Sequence, residues 1–199
     1  MSSLPFTVDG LILAGGRGER LGGVDKGLQP LQGKPLIDWT LDVLRPQVAQ
    51  LLINCNRNPE QYRPRADRLV SDARTDFAGP LHGVLSGLQA SSASHLLVLP
   101  CDTPLLTGEV LGRLIEAARE TPEQIIIAAT EQGWQPLHVV IPQQYQGDLA
   151  AWLAEGNAKV RSWYQRHPHR LIAFGDEPAF HNVNSPEELQ AVSGKPLER

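Results

Sequence analysis

The sequence has few cysteines, no long hydrophobic run and no excess of positive charge, and each absence excludes a class of protein. Cys55 and Cys101 form no Cys-x-x-Cys pair and no metal-type spacing with histidine, so we expect reduced, buried side chains. No stretch approaches the ~20 apolar residues that span a bilayer, and no Lys or Arg precedes Arg17 to begin a signal peptide. The formal net charge of −4 argues against nucleic acid or an anionic membrane as a partner. A cytoplasmic protein is expected, with a small anionic ligand only if positive side chains gather locally.

Short apolar runs alternate with patterns of helical period along the 199 residues. This alternation predicts an α/β fold, a doubly wound, mostly parallel sheet with helices on both faces, in a single domain over residues 1–199. Strands are predicted at 8–14, 51–55, 68–71, 95–99, 124–129, 137–141 and 170–174. Helices are predicted at 35–48, 81–90 and 107–120, with two more within 145–166 and a last one capped by Ser185.

A glycine-rich loop follows the first predicted strand, where ligands of such sheets bind. Residues 11–27 read LILAGGRGERLGGVDKG, which combines close backbone approach to a phosphate with local cations. Leu21 replaces the third glycine of the dinucleotide fingerprint, and no Gly-Lys is followed by Ser or Thr as in a P-loop. The loop therefore predicts a phosphate cradle of another type. The groups assigned to phosphate are the amides of Gly15 and Gly16 and the side chains of Arg20 and Lys26.

A carboxylate follows the most apolar of the predicted strands. Asp102 lies in Pro-Cys-Asp-Thr-Pro directly after strand 95–99. Mg²⁺ is typically held by one or two carboxylates together with substrate phosphates, so Asp102 is a candidate metal ligand. The alternative is that Asp102 caps the turn that follows it.

Other polar side chains follow the second and third strands and precede the last helix. Asn54 and Asp72 end their strands at the same expected edge, and a carboxylate there could accept two hydrogen bonds from guanine or hold ribose hydroxyls. Turn formation is the equal alternative for both. Asn182 and Asn184 alternate across a valine and would face one side of an extended segment. They are candidates for a metal shell or a substrate contact.

These motifs together resemble the molybdenum cofactor guanylyltransferase family, in the family's order and over nearly the whole chain. The segments that carry the resemblance are LILAGGRGERLGGVDKG (11–27), LQGKPL (31–36), INCNR (53–57), SDA (71–73), AGPLHGVLSGL (78–88), LPCDTPLL (99–106) and HNVNSPEEL (181–189). The resemblance implies a Rossmann-like nucleotidyltransferase fold, GTP as donor and Mg²⁺ as cofactor, with Mn²⁺ as a substitute. By match of position, the implied GTP ligands are Leu13, Ala14, Gly15, Lys26, Asn54, Asp72 and Asp102, and Asp102 also binds the metal.

The resemblance also implies a reaction, in which the terminal phosphate of the molybdenum cofactor (molybdopterin) attacks the α-phosphate of GTP and pyrophosphate leaves. Asp102, Lys26 and Arg20 would be catalytic, and the 182–184 segment would contact the molybdopterin or a second metal. Nucleotide binding would occupy about residues 8–105 and acceptor binding about 106–193. Partner proteins of cofactor assembly or molybdoenzyme chaperones are expected from the resemblance alone.

Three alternatives remain open on the sequence. A molybdopterin cytidylyltransferase, or another sugar- or alcohol-phosphate nucleotidyltransferase, shares the loop and the metal chemistry, and base choice depends on few contacts. An NAD-dependent oxidoreductase would use the loop as a Rossmann turn, against which Leu21 argues. A non-catalytic nucleotide-binding protein differs from the enzyme only in turnover.

Overall fold

The computed structural model describes residues 5–14, 25–72, 79–175, 178–183 and 188. The strands in this part of the chain are β1 (Val8–Leu13), β2 (Pro30–Leu31), β3 (Lys34–Pro35), β4 (Leu51–Asn54), β5 (Arg68–Val70), β6 (His95–Pro100), β7 (Ile125–Thr130), β8 (Gly133–Pro142) and β9 (His169–Ala173). The α-helices are α1 (Leu36–Leu44), α2 (Pro59–Tyr62), α3 (Pro80–Ala90), α4 (Gly108–Glu120), α5 (Gln146–Ala154) and α6 (Val160–Tyr164). Within these residues, no helix is long and apolar enough to cross a membrane.

Seven strands form one sheet in the order β5-β4-β1-β6-β8-β7-β9. Every neighbouring pair is parallel except those of β8, which runs antiparallel to both β6 and β7. The reversal follows from the short connection between β7 and β8, because two parallel strands need a long crossover. Gly133, at φ +118°, allows this turn. The predicted α/β fold with a mostly parallel sheet is confirmed.

Helices cover both faces of this sheet, because successive residues of its central strands point to opposite sides. Ile12 of β1 packs in a core with residues of α1 and α4, such as Leu44 and Leu111. Its neighbour Leu11 packs in the opposite core with residues of α3, α5 and α6, such as Val84 and Leu149. All six side chains are fully buried, which explains why β1 reads as a continuous apolar run.

Several element predictions need correction. The helix predicted at 35–48 ends at Leu44, because Pro46 in the following 3-10 segment (Arg45–Gln47) cannot continue the hydrogen-bond ladder. The strand predicted at 137–141 extends from Gly133 to Pro142. The β2–β3 hairpin was not predicted. Its turn is formed by Gln32 and Gly33, which both adopt left-handed backbone. The predicted start of the last helix at Ser185 lies outside the described residues.

Candidate active site at the carboxyl ends of the strands

Backbone hydrogen bonds join the ends of three central strands into one edge. The Ala14 amide donates to the Asn54 carbonyl over 2.8 Å, and the Cys101 amide donates to the Leu13 carbonyl over 3.3 Å. Asp72 lies two residues beyond the end of the neighbouring strand β5. The residues predicted after separate strands therefore meet at a single edge, where doubly wound sheets bind their ligands.

Lys26 and Asp102 form an ion pair at this edge. Lys26 opens a 3-10 turn (Lys26–Leu28), and its Nζ donates to Oδ2 of Asp102. Both side chains are mostly buried, with 21% of Lys26 and 13% of Asp102 exposed. The other oxygen, Asp102 Oδ1, is buried and accepts no hydrogen bond from the described residues. Because a buried carboxylate oxygen without a partner is costly, this atom is suited to a cation.

Asn54 and Asp72 contact one another in a small amide–carboxylate network. The Asn54 Nδ2 donates to Asp72 Oδ1 over 2.9 Å, and the Asn56 Nδ2 donates to Asp72 Oδ2 over 2.9 Å. Asn56 Oδ1 in turn accepts from the Asp72 backbone amide over 3.0 Å. Each carboxylate oxygen retains a lone pair for a ligand. The contact between Asn56 and Asp72 could not be predicted from the sequence. It forms only because β5, which precedes Asp72, pairs with β4, which precedes Asn56.

Asp25 is a second buried carboxylate, immediately before Lys26, and its contacts could not be predicted from the sequence. It is 7% exposed and accepts from the Tyr62 hydroxyl and, over 3.1 Å, from Asn58 Nδ2. Burial, and then the hydrogen bond to Asp25, raise the pKa of Tyr62, so its hydroxyl stays protonated and donates. Asn58-Pro59 is a sequence pattern typical of a helix start, and it begins the four-residue helix that carries Tyr62. This pattern indicates the helix but not the contact between Tyr62 and Asp25.

Residues 181–183 contact the same edge. The Val183 amide donates to the Asp102 carbonyl over 2.9 Å, and the exposed Asn182 lies next to Val183. This placement brings one of the two predicted asparagines to the Asp102 loop. The predicted site residues that lie outside the described part of the chain are Gly15, Gly16, Arg20 and Asn184.

Other reactive side chains near this edge are held in neutral form. Burial raises the pKa of the Cys101 thiol, and burial lowers the pKa of His138 to about 3, so neither is charged at neutral pH. Within the described residues, no three His, Cys, Asp or Glu side chains gather as a metal cluster. Among the described residues, the edge therefore offers the Lys26–Asp102 ion pair, the amide–carboxylate network, the buried Asp25 carboxylate and the neutral Cys101 and His138. That set suits charge neutralisation and positioning of a phosphate substrate rather than attack by a protein nucleophile.

Comparison with known proteins places the chain in a family. Residues 10–171 match the family model described as MobA-like NTP transferase domain. A molybdenum cofactor guanylyltransferase of Shewanella sp. (strain MR-4) is 38% identical over 193 residues, covering 96% of this chain and 98% of the relative. Both findings agree with the family and the transferase activity predicted from the motifs.

Solved structures share the fold at lower sequence identity. The molybdopterin-guanine dinucleotide biosynthesis protein A of Archaeoglobus fulgidus superposes with a TM-score of 0.76 at 23% identity, covering 93% of this chain and 96% of that one. A Mycobacterium tuberculosis H37Rv protein solved in complex with manganese superposes with a TM-score of 0.69 at 19% identity, covering 94% and 97%. The family model and the close relative together show that the chain belongs to the MobA-like NTP transferase family.

Proposed function

We propose that this protein transfers GMP from GTP to the terminal phosphate of the molybdenum cofactor, forming molybdopterin guanine dinucleotide and releasing pyrophosphate. The observation that carries the proposal is the Lys26–Asp102 pair at the carboxyl edge of a sheet in this family, with one carboxylate oxygen open to a cation. The name of the Shewanella relative supports the same reaction.

A divalent metal fits Asp102, and we propose Mg²⁺, with Mn²⁺ as a substitute. Asp102 Oδ1 is buried without a donor among the described residues, and carboxylate oxygen is the ligand that Mg²⁺ prefers. The described residues supply no larger acidic or histidine cluster, which suits an ion that takes its other ligands from phosphates and water. When bound, such an ion would neutralise charge on the triphosphate. The manganese complex of the mycobacterial structure is consistent with this choice.

The nucleotide would lie along the edge from Asp102 to Asp72. We assign the Lys26 ammonium to the triphosphate, and Leu13 and Ala14 to contacts at the end of β1. Asp72 would accept hydrogen bonds from the guanine N1–H and N2 amine with the lone pairs that Asn54 and Asn56 leave unused. Cytosine lacks two adjacent donors on its pairing edge, so this arrangement favours GTP over CTP. Gly15, Gly16 and Arg20 are proposed for the phosphates on the sequence alone.

The reaction needs no protein base, because a terminal phosphate has a second pKa of about 6 and is already ionised at neutral pH. Its oxygen would attack the α-phosphorus, the bond to the bridging oxygen would break, and pyrophosphate would leave with that electron pair. Lys26 would hold the negative charge of the triphosphate during this step. The Cys101 thiol stays protonated and is a poor nucleophile, and the low pKa of the buried His138 makes its imidazole a weak base, so neither would compete with the acceptor phosphate at neutral pH.

The acceptor side of the site is proposed for residues of the second half, about 106–193. Asn182 and Asn184 are the candidates, because the Val183 amide donates to the Asp102 carbonyl and these two asparagines precede and follow Val183 in the sequence. The reaction would take place in the cytoplasm, where GTP is available. The finished cofactor would then pass to another cofactor-biosynthesis protein or a molybdoenzyme chaperone.

Pyrophosphate release with molybdenum cofactor, Mg²⁺ and GTP, CTP or ATP in turn tests the proposal. We expect turnover with GTP alone, and its loss in a folded Asp102→Ala variant. Turnover with CTP instead would assign the cytidylyl reaction, and no turnover despite tight GTP binding would refute the catalytic role.

A further inference from the structure

The Asp25 carboxylate is buried one residue before Lys26 and makes an unusual set of contacts. Its donors among the described residues are the hydroxyl of Tyr62 and the amide of Asn58, both neutral. A carboxylate is not buried without strong partners, so these two bonds determine where Asp25 can lie. Asp25 also accepts the Leu28 amide through its backbone carbonyl over 3.2 Å, which begins the turn that carries Lys26.

Tyr62 packs directly against this turn. It is fully buried in the core beneath the sheet edge. A Cβ added to Gly27 would lie 2.7 Å from the Tyr62 hydroxyl oxygen and 3.5 Å from the sulfur of Cys101. The backbone after Lys26 is therefore packed between the tyrosine and the residue that precedes Asp102. This packing leaves the turn little room to move relative to Asp102.

The Lys26 side chain needs such an anchor to act on one atom. A lysine side chain has four rotatable bonds, and its ordering costs substantial conformational entropy. Fixing its Cα limits the positions that the ammonium can reach, and the observed one is at Asp102 Oδ2. Asn58 supplies the second hydrogen bond to the Asp25 carboxylate, through its side-chain amide. Asn58 precedes α2 and has left-handed backbone (φ +49°).

We propose that Tyr62 and Asn58 are positioning residues that hold the Lys26 ammonium at Asp102 by anchoring the Asp25 carboxylate. The part of this inference that concerns nucleotide rests on the proposed function, whereas the part that concerns the turn does not. Tyr62→Phe removes only the hydroxyl and leaves the packed ring in place. Asn58→Gly removes the second donor and tolerates the left-handed backbone.

Hydrogen exchange of the Leu28 and Gln29 amides tests the anchor without nucleotide. Both amides donate within the turn, to the carbonyls of Asp25 and Lys26. We expect faster exchange in Tyr62→Phe and in Asn58→Gly. Tyr164→Phe is the matched control, because Tyr164 is also fully buried and donates over 2.9 Å to the Pro136 carbonyl in the opposite core. Exchange of the turn that is unchanged in Tyr62→Phe, or equally fast in Tyr164→Phe, would overturn the inference.

A double-mutant cycle with Lys26→Ala tests whether the anchor acts through the lysine. For GTP–Mg²⁺ measured by calorimetry, we expect Tyr62→Phe to raise the Kd about tenfold in the wild-type background, as for loss of a hydrogen bond to a charged group. In the Lys26→Ala background the same change should have almost no effect. Equal losses in both backgrounds would overturn the inference, since a merely structural role weakens both alike. If the wild-type protein bound no GTP, the proposed function would fail and the exchange measurement would decide the inference alone. Should Tyr62→Phe not fold, Asn58→Gly carries both measurements.

Discussion

Replacing Gly83 by alanine should damage the nucleotide site although alanine is the better helix former. Gly83 lies inside α3, where an alanine at an unobstructed position adds about 1 kcal/mol to the free energy of unfolding. Here the new Cβ would lie 2.6 Å from Asn54 Oδ1 and 2.8 Å from Leu13 Cδ2, closer than such atoms approach. Asn54 is short and 2% exposed, so it can yield only by turning away from Asp72.

The magnitude follows from three opposing terms. Overpacking costs about 1–3 kcal/mol, the lost hydrogen bond to a charged acceptor costs about 1.5–3 kcal/mol, and the helix gains about 1 kcal/mol. We expect the free energy of unfolding to fall by at least about 1.5 kcal/mol and GTP–Mg²⁺ to bind at least about tenfold more weakly.

Urea unfolding and calorimetric GTP titration measure both effects, with Gly112→Ala as the matched control. Gly112 lies inside α4, and a Cβ there would meet nothing within 4 Å. The control should be stabilised by up to about 1 kcal/mol and bind GTP normally. If Gly83→Ala behaved as Gly112→Ala does, the close contact with Asn54 and its role in nucleotide binding would both be wrong.

Two further predictions concern base choice and acid stability. Asp72→Asn should reduce the preference for GTP over CTP by about tenfold or more in competitive turnover, because the change removes the pair of acceptor oxygens for guanine. An unchanged preference would rule out Asp72 as the guanine contact. Burial lowers the pKa of His138 to about 3 in the folded protein, whereas its pKa in the unfolded chain is about 6.5. As the pH falls from about 6.5 towards 3, only the unfolded chain binds a proton at this imidazole, so the free energy of unfolding decreases over that range. Between pH 7 and pH 5, His138 should lower the free energy of unfolding measured with urea by about 2 kcal/mol. The decrease should be smaller by that amount in His138→Phe than in the wild type. Equal decreases in the two proteins would contradict a neutral buried imidazole.

The sequence predicts the sheet and the residues at its edge because both depend on local patterns. Asp102 follows the most apolar strand, and Asn54 ends another, so the rule for strand ends in parallel sheets places them together. The direction of β8 could not be read, since an apolar strand carries the same pattern whether it pairs parallel or antiparallel.

The contacts that complete the site connect residues far apart in the chain, and these the sequence does not reveal. Lys26 was predicted to bind phosphate, but its pairing with Asp102, 76 positions away, depends on where the turn packs. Tyr62 lies in a helix of four residues, too short to show a periodic pattern. Its hydroxyl reaches Asp25 only because α2 packs beneath the sheet edge, which is a property of the tertiary structure.

The position of a radioactive label tests the central claim most directly. Purified protein, Mg²⁺ and molybdenum cofactor would be incubated with GTP labelled at the α-phosphate or, separately, at the γ-phosphate. We predict that the α-label enters a cofactor-linked product and the γ-label appears in pyrophosphate, with neither seen in Asp102→Ala. Release of the γ-label as inorganic phosphate, or an α-label that never leaves free nucleotide, would contradict transfer of GMP.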